Sequence, residues 1–179
     1  PGKEPPGAHL QPGMGAEQLV QRMLRAEARI NIHDLRNGSF PKSSWETLAE
    51  AAGRLAEAPV YIDDSSMLST LELRARCRRF KSRHKDLGLV VVDYLQLMSS
   101  SRRIENKQQE VAEISRGLKG VARELEVPVI ALSQLSRAVE QRTEKKPQLS
   151  DLRDSGAIEQ DADTVMLLYR PGYYEAGAP

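Results

Sequence analysis

Three stretches in the second half of the chain carry side chains that suit nucleotide and polyanion chemistry. The run Leu89-Val90-Val91-Val92-Asp93-Tyr94 places a carboxylate directly after an unbroken apolar stretch. An Asp at the carboxyl tip of a buried parallel strand lies where α/β sheets bind ligands, and it can help hold magnesium on a nucleotide, directly or through water. The same Asp could instead cap the next turn. Leu132-Ser133-Gln134 ends the following apolar run. The Gln134 amide can donate to a γ-phosphate while its oxygen bonds elsewhere, and so report the phosphate by moving the adjoining loop. The alternative is a Gln that opens a helix from Ser133 to Glu140. The third stretch, Ser150 to Asp163, contains Arg153 and Gly156. An Arg beside free backbone N–H groups grips phosphate without reading bases, and Gly permits close backbone approach. A solvated loop followed by a short acidic helix is the competing description.

The elements that must position these residues follow from periodicity. Leu19, Val20, Met23, Leu24 and Ala28 share one face of a helix that begins near Ala16. Ser43 and Ser44 open a second helix, with Glu46 placed as in a capping box and a stripe of Trp45, Leu48, Ala52 and Leu55. Val60 to Ile62 is a short strand. Ser69 with Glu72 repeats the capping-box pattern and starts a helix to about His84, with Leu73, Cys77 and Phe80 facing inward. The run at 89–92 has no alternation, as expected of a strand covered on both faces. Glu105 to Leu125 is a long helix with Val111, Ile114, Leu118, Val121 and Leu125 at helical spacing. Val127 to Leu132 is a second buried strand, Ser155 to Ala162 a short segment, and Thr164 to Tyr169 a last strand. Strand, helix, strand repeated in this way predicts an α/β fold with a mostly parallel sheet.

Composition removes several classes of function. The chain has 179 residues, with 26 Lys+Arg against 25 Asp+Glu and a net charge of +1, so it has no global field to attract nucleic acid. One cysteine excludes a disulfide framework and a Cys-based zinc site, and the three His have no metal-ligand spacing. One Trp, five Tyr and two Phe are too few for a typical base-stacking platform. No apolar run is long enough for a membrane span. Ser-His-Asp, paired-carboxylate and dinucleotide-binding signatures are absent. Arg74, Arg76, Arg78, Arg79, Lys81, Arg83 and Lys85 form a basic run that is either a second DNA or partner surface or a solvated helix face. The basic loop with Arg137, Arg142, Lys145 and Lys146 leads directly into the Arg153 stretch.

LVVVDYLQLM, ENKQQEVAEISRGLKGVARELEVPVIALSQLSR and SDLRDSGAIEQDADTVMLLYR together resemble the bacterial replicative DNA helicase family, DnaB. MGAEQLVQRMLRAEARI and APVYIDD extend the resemblance over roughly Met14 to Tyr174. It implies a RecA-like P-loop NTPase core with helices on both faces of the sheet, occupying 14–179 after an irregular lead-in at 1–13. It further implies ATP and Mg2+ as cofactors, single-stranded DNA as partner, a homohexamer, contacts with primase and a helicase loader, and a place in the bacterial cytoplasm at the nucleoid-associated replisome. By the same resemblance, Asp93 is the Walker B carboxylate associated with magnesium and Gln134 the phosphate sensor. Arg153, Asp154 and Gly156 belong to the DNA-contacting loop, and Gln160 helps link that loop to the nucleotide site.

The sequence also departs from the family. The P-loop pattern GxxxxGK[ST] is absent, since the only Gly-Lys is Gly2-Lys3, followed by Glu4. Gln11-Pro12-Gly13-Met14 places Gly13 where the family has the Glu that polarises water. The arginine finger is expected beyond Pro179. The alternatives are another RecA-like ATPase, such as a recombinase, and a non-catalytic interaction module that keeps the fold. The purified 179-residue chain by itself is expected to hydrolyse ATP inefficiently; DNA-stimulated phosphate release from it would contradict that.

Overall fold

The computed structural model describes residues 7–10, 15–30, 42–65, 67–100, 104 and 106–174. Four short parallel strands form one sheet: β1 (Gly7–Leu10), β2 (Val60–Asp63), β3 (Leu89–Val92) and β4 (Val129–Ala131), in the order β2-β1-β3-β4. Gly7 pairs with both Val60 and Leu89, and Val90 pairs with Val129. The chain leaves β1 toward one sheet edge, to β2, and returns past it to β3 and β4 on the other side. The connections therefore reverse direction between β1 and β3, and at such a reversal a crevice opens outside the carboxyl ends of the strands. Asp93 borders it.

β1 corrects the expectation of an irregular lead-in over 1–13. A four-residue strand is too short for a periodic signal, and its Pro- and Gly-rich neighbours hide it. Its place is decided by two flanking strands that each supply a hydrogen-bonded ladder.

Two helices seal one face of the sheet. In α3 (Thr70–Arg83) Leu73 and Cys77 are buried, and in α4 (Lys107–Leu125) Val111, Ile114, Leu118, Val121 and Leu125 are buried, as their spacing predicts. They close over Val90 and Val92 of β3 and over Leu95 and Met98 just after it. Leu89 and Val91, on the other face, are only half-buried. The Ser69 side chain accepts from the Glu72 N–H at 3.2 Å, and the Ser69 N–H donates to the Glu72 carboxylate at 2.9 Å, completing the predicted capping box. Phe80 meets Tyr61 edge-on and stacks on His84, each at 4.5 Å between ring centroids. Burial raises the Cys77 thiol to about 11, with the Asp63 charge adding to the effect, so it stays protonated and inert at neutral pH.

α1 (Ala16–Ala28) and α2 (Lys42–Glu57) pack on each other and are joined by an Arg54–Glu27 ion pair of 2.7 Å. Gly15, at the start of α1, has no side chain to cap it. The Asp64 carboxylate beyond β2 accepts from the Ala16 N–H at 3.1 Å instead. The α2 stripe is turned from the predicted one: Ala51 is fully buried, Leu48 and Leu55 are half-buried, and Trp45 is 60% exposed. α2 also begins at Lys42, so Ser43 lies inside the first turn and not at the cap.

Two strand predictions change at the far edge. β4 is an edge strand among the described residues, with Ile130 exposed, where full burial was expected. Residues 164–169 form no strand. Met166 and Leu168 are 70% and 85% exposed, and without a ladder an apolar run has no reason to extend as a strand.

The α3–α4 crossing is close. A Cβ added at Gly117 would sit 2.8 Å from Thr70 Cγ2 and 2.9 Å from Thr70 Cβ, whereas one at Gly120 would meet nothing within 4 Å. Gly117→Ala should therefore destabilise the chain by about 1–3 kcal/mol through overpacking. Gly120→Ala should stabilise it by about 0.5–1 kcal/mol through helix propensity. Urea denaturation of both variants checks the opposite signs.

Candidate functional site

β3 and β4 deliver Asp93 and Gln134 to the same edge of the sheet. Asp93 follows β3 directly and is half-buried, and its peptide bond to Tyr94 is cis. Gln134 lies just beyond β4 and is exposed. The two strand exits are joined by backbone bonds: Leu132 N–H donates to the Val92 carbonyl at 2.9 Å, and Leu95 N–H to the Leu132 carbonyl at 2.8 Å. The prediction that both residues stand on neighbouring strand tips holds.

A residue not singled out from sequence sits between them. Gln96, in the short 3-10 turn Leu95–Leu97, donates its amide to Ser133 Oγ at 2.9 Å and to the Gln134 carbonyl at 3.3 Å. Its amide oxygen accepts from the Gln134 N–H at 3.3 Å. A polar side chain inside the LQL stretch was the only sequence signal for it.

The segment after Gln134 folds back on itself. α5 (Ala138–Gln141) replaces the longer helix considered from Ser133. The segment closes where Ser136 N–H donates to the Asp151 carbonyl at 3.0 Å. The Asp151 side chain is 5% exposed and accepts from the Arg142 guanidinium and from the Gln148 N–H, both at 2.7 Å. Arg142 also donates to the Gln148 amide oxygen at 3.1 Å and to the Lys146 carbonyl at 3.0 Å. The basic loop is thus a strap held by a buried carboxylate, and Arg142 works inside the protein, not as a free cation.

That strap fixes the start of the 3-10 turn Leu149–Ser155, on which Arg153 and Asp154 lie; their side chains fall outside the described residues. Gly156 begins α6 (Gly156–Asp161), where a Cβ would meet nothing within 4 Å. No packing among the described residues calls for a glycine there. α6 packs on α4, and Ile158 meets the core. Lys119 of α4 pairs with Asp163, holding that carboxyl below its ordinary value by a hydrogen bond and by charge. Gln160 is exposed on α6, and no hydrogen bond joins it to Gln134 among the described residues. The structure therefore brings Asp93, Gln134 and the base of the Arg153 turn into one connected region. A groove of ≈ 640 Å³ opens beside Gln134, lined also by Arg137, Tyr169 and Tyr174.

The basic run on α3 is partly paired within the fold. Arg74 and Arg78 both pair with Glu124, Arg76 with Asp63, and Lys81 donates to the Leu125 carbonyl at the end of α4. Burial works to raise the Asp63 carboxyl, but hydrogen bonds from Ser65 and Arg76 outweigh it and hold the group below its usual range.

Asp93 fits a cation carried by a ligand better than a resident one. Among the described residues no cluster of three His, Cys, Asp or Glu side chains could hold a metal alone. A single carboxylate at a strand tip suits magnesium whose other ligands are phosphate oxygens and water.

A family model described as the DnaB-like helicase C terminal domain matches residues 6–179. The replicative DNA helicase DnaC of Bacillus subtilis (strain 168) is 56% identical over 163 residues, which are 90% of this chain and 36% of that protein. The replicative DNA helicase DnaB of Geobacillus stearothermophilus is 57% identical over 162 residues, again 90% of this chain and 36% of the relative. The chain thus spans little more than a third of the curated relatives it matches. Among solved structures, a DnaB-like replicative helicase, described with its interactions with primase, superposes with a TM-score of 0.91 at 36% identity, over 97% of this chain and 42% of that one. A second solved structure, described as an ATPase domain, gives 0.90 at 36% identity, over 97% of this chain and 62% of that one.

Asp151→Asn keeps the side chain's size but leaves Arg142 without its counter-charge. Breaking a fully buried pair costs about 3–5 kcal/mol. Arg142 is 32% exposed, so a loss of about 2 kcal/mol is expected in chemical denaturation. Proteolysis should then cut first between residues 142 and 150.

Proposed function

Because this chain belongs to the DnaB-like helicase C-terminal domain family, we propose that it is part of the motor of an ATP-driven replicative helicase. The motor translocates on single-stranded DNA and unwinds duplex at the replication fork. The observation that carries this reading is one connected path. Asp93 and Gln134 leave adjacent parallel strands side by side, and the segment after Gln134 is hydrogen-bonded, through Ser136 and Asp151, to the turn that bears Arg153. A RecA-like sheet with those two side chains alone would also suit a recombinase; membership of the DnaB-like family supports the helicase.

In this reading magnesium-bound ATP supplies the phosphoryl group whose loss drives the cycle. Asp93, at the sheet's carboxyl edge, would hold the magnesium that the nucleotide brings. Gln134 donates its amide to the terminal phosphate, and its backbone follows when that bond is lost. Ser136 passes the shift to Asp151, and the Leu149–Ser155 turn moves with it. Arg153 and the backbone around Gly156 hold DNA phosphates, and Asp154 shapes the same turn. Gln160 serves the motif from α6. Phosphate contacts of this kind are sequence-tolerant and weaken with salt. The whole enzyme is a homohexamer around the strand, working with primase and a loader in the bacterial cytoplasm.

In the assembled helicase, Arg153→Ala should weaken single-stranded DNA binding alike for all sequences and lower the salt dependence by about 0.7 in log–log slope. It should also cut the stimulation of ATP turnover by DNA. Unchanged affinity and unwinding remove Arg153 from this role.

A further inference from the structure

We propose that Gln96 is a positioning residue that sets Gln134 for phosphate sensing; the inference rests on the sensor reading of Gln134. Gln134 is exposed and lies beyond a three-residue edge strand, so its own element does little to hold it. Side-chain packing does not fix it either, since Ile130 and Leu132 beside it are each 39% exposed. What fixes its backbone is one side chain from the neighbouring strand exit. The Gln96 amide uses both of its ends: the oxygen takes the Gln134 N–H at 3.3 Å, and the nitrogen gives to the Gln134 carbonyl at 3.3 Å and to Ser133 Oγ at 2.9 Å. This donor–acceptor pair mimics a strand partner one step beyond the last backbone bond of the ladder.

Gln96 itself is held on stiff ground. Its turn is pinned by buried Leu95 and Met98, and the Leu95 N–H is bonded across to Leu132. Asp93 leaves the same strand three residues earlier. One amide therefore ties the position of the sensing residue to the frame that carries the cation-orienting carboxylate. Only a side chain with a donor and an acceptor on one planar head can do this. Glu lacks the donor, Met lacks the donor and has only a weakly accepting thioether, and Asn falls one methylene short.

The test has two arms. In the 179-residue chain, Gln96→Met keeps length and apolar volume, so the melting temperature should hold within about 2 °C. Amide hydrogen exchange at Gln134 should rise about tenfold, with that at Ser136 unchanged. In the intact helicase containing this segment, the same variant should lower kcat for ATP about tenfold with KM within twofold. Ser133→Ala, which removes one of the three contacts, should give the same split at smaller size. Gln134→Ala is the reference. If it lowers kcat while Gln96→Met leaves kcat and Gln134 exchange as in the wild type, Gln96 is not a positioning residue and the sensor reading stands. If Gln134→Ala leaves kcat untouched, the sensor reading falls and this inference falls with it.

Discussion

The sealing of β3 by α3 and α4 is the constraint on which the rest depends. Val90 and Val92 point into the layer formed by Leu73 and Ile114, all at 1% exposure or less. Burying such a side chain is worth about 1.5–3 kcal/mol, so a few of them hold a four-residue strand firmly. Parallel ladders on both sides, to β1 and to β4, fix its register. A one-residue slip would turn Val90 and Val92 away from the core, and the packing therefore sets where Asp93 emerges.

β4 is held differently. It has three residues, one ladder and a half-open face among the described residues. Stability of this kind is local and low. The site thus joins a stiff strand carrying the carboxylate to a soft strand carrying the amide. The bonds at their exits, Leu132 to Val92 and Gln96 to Gln134, keep the soft one in place.

Charge is placed with the same restraint. With a net charge of +1, the chain has no long-range attraction for a polyanion. Much of the basic α3 run is paired with Glu124, Asp63 and the end of α4, and Arg142 is paired with Asp151. The exposed pairs on α3 contribute little stability each, whereas Arg142 is held by the buried Asp151 carboxylate. The position of the Leu149–Ser155 turn is set by a buried carboxylate, that of Asp151.

Local sequence was enough wherever one element's own pattern decided its fate. The five apolar positions of α4, the Leu73–Cys77 face of α3, the Ser69–Glu72 cap and the Asp at the end of β3 were all legible, because each depends on periodicity or on a contact within one turn. Asp93 and Gln134 could be placed at neighbouring tips for the same reason, since a strand–helix–strand unit forces them there. Pairing and closure over long range were not legible. β1 is a strand only because β2 and β3 flank it, and residues 164–169 are not a strand because, among the described residues, no ladder reaches them. Trp45 left the predicted stripe once α2 met α1. Gln96 and Asp151 read as ordinary polar residues until the fold brought Gln134 and Arg142 to them. Residue order alone thus specified most elements, the family and the placing of Asp93 and Gln134 at neighbouring strand tips. Which polar groups join that tip to the loop was settled in three dimensions, because hydrogen bonds between residues far apart in the chain exist only after the core has closed.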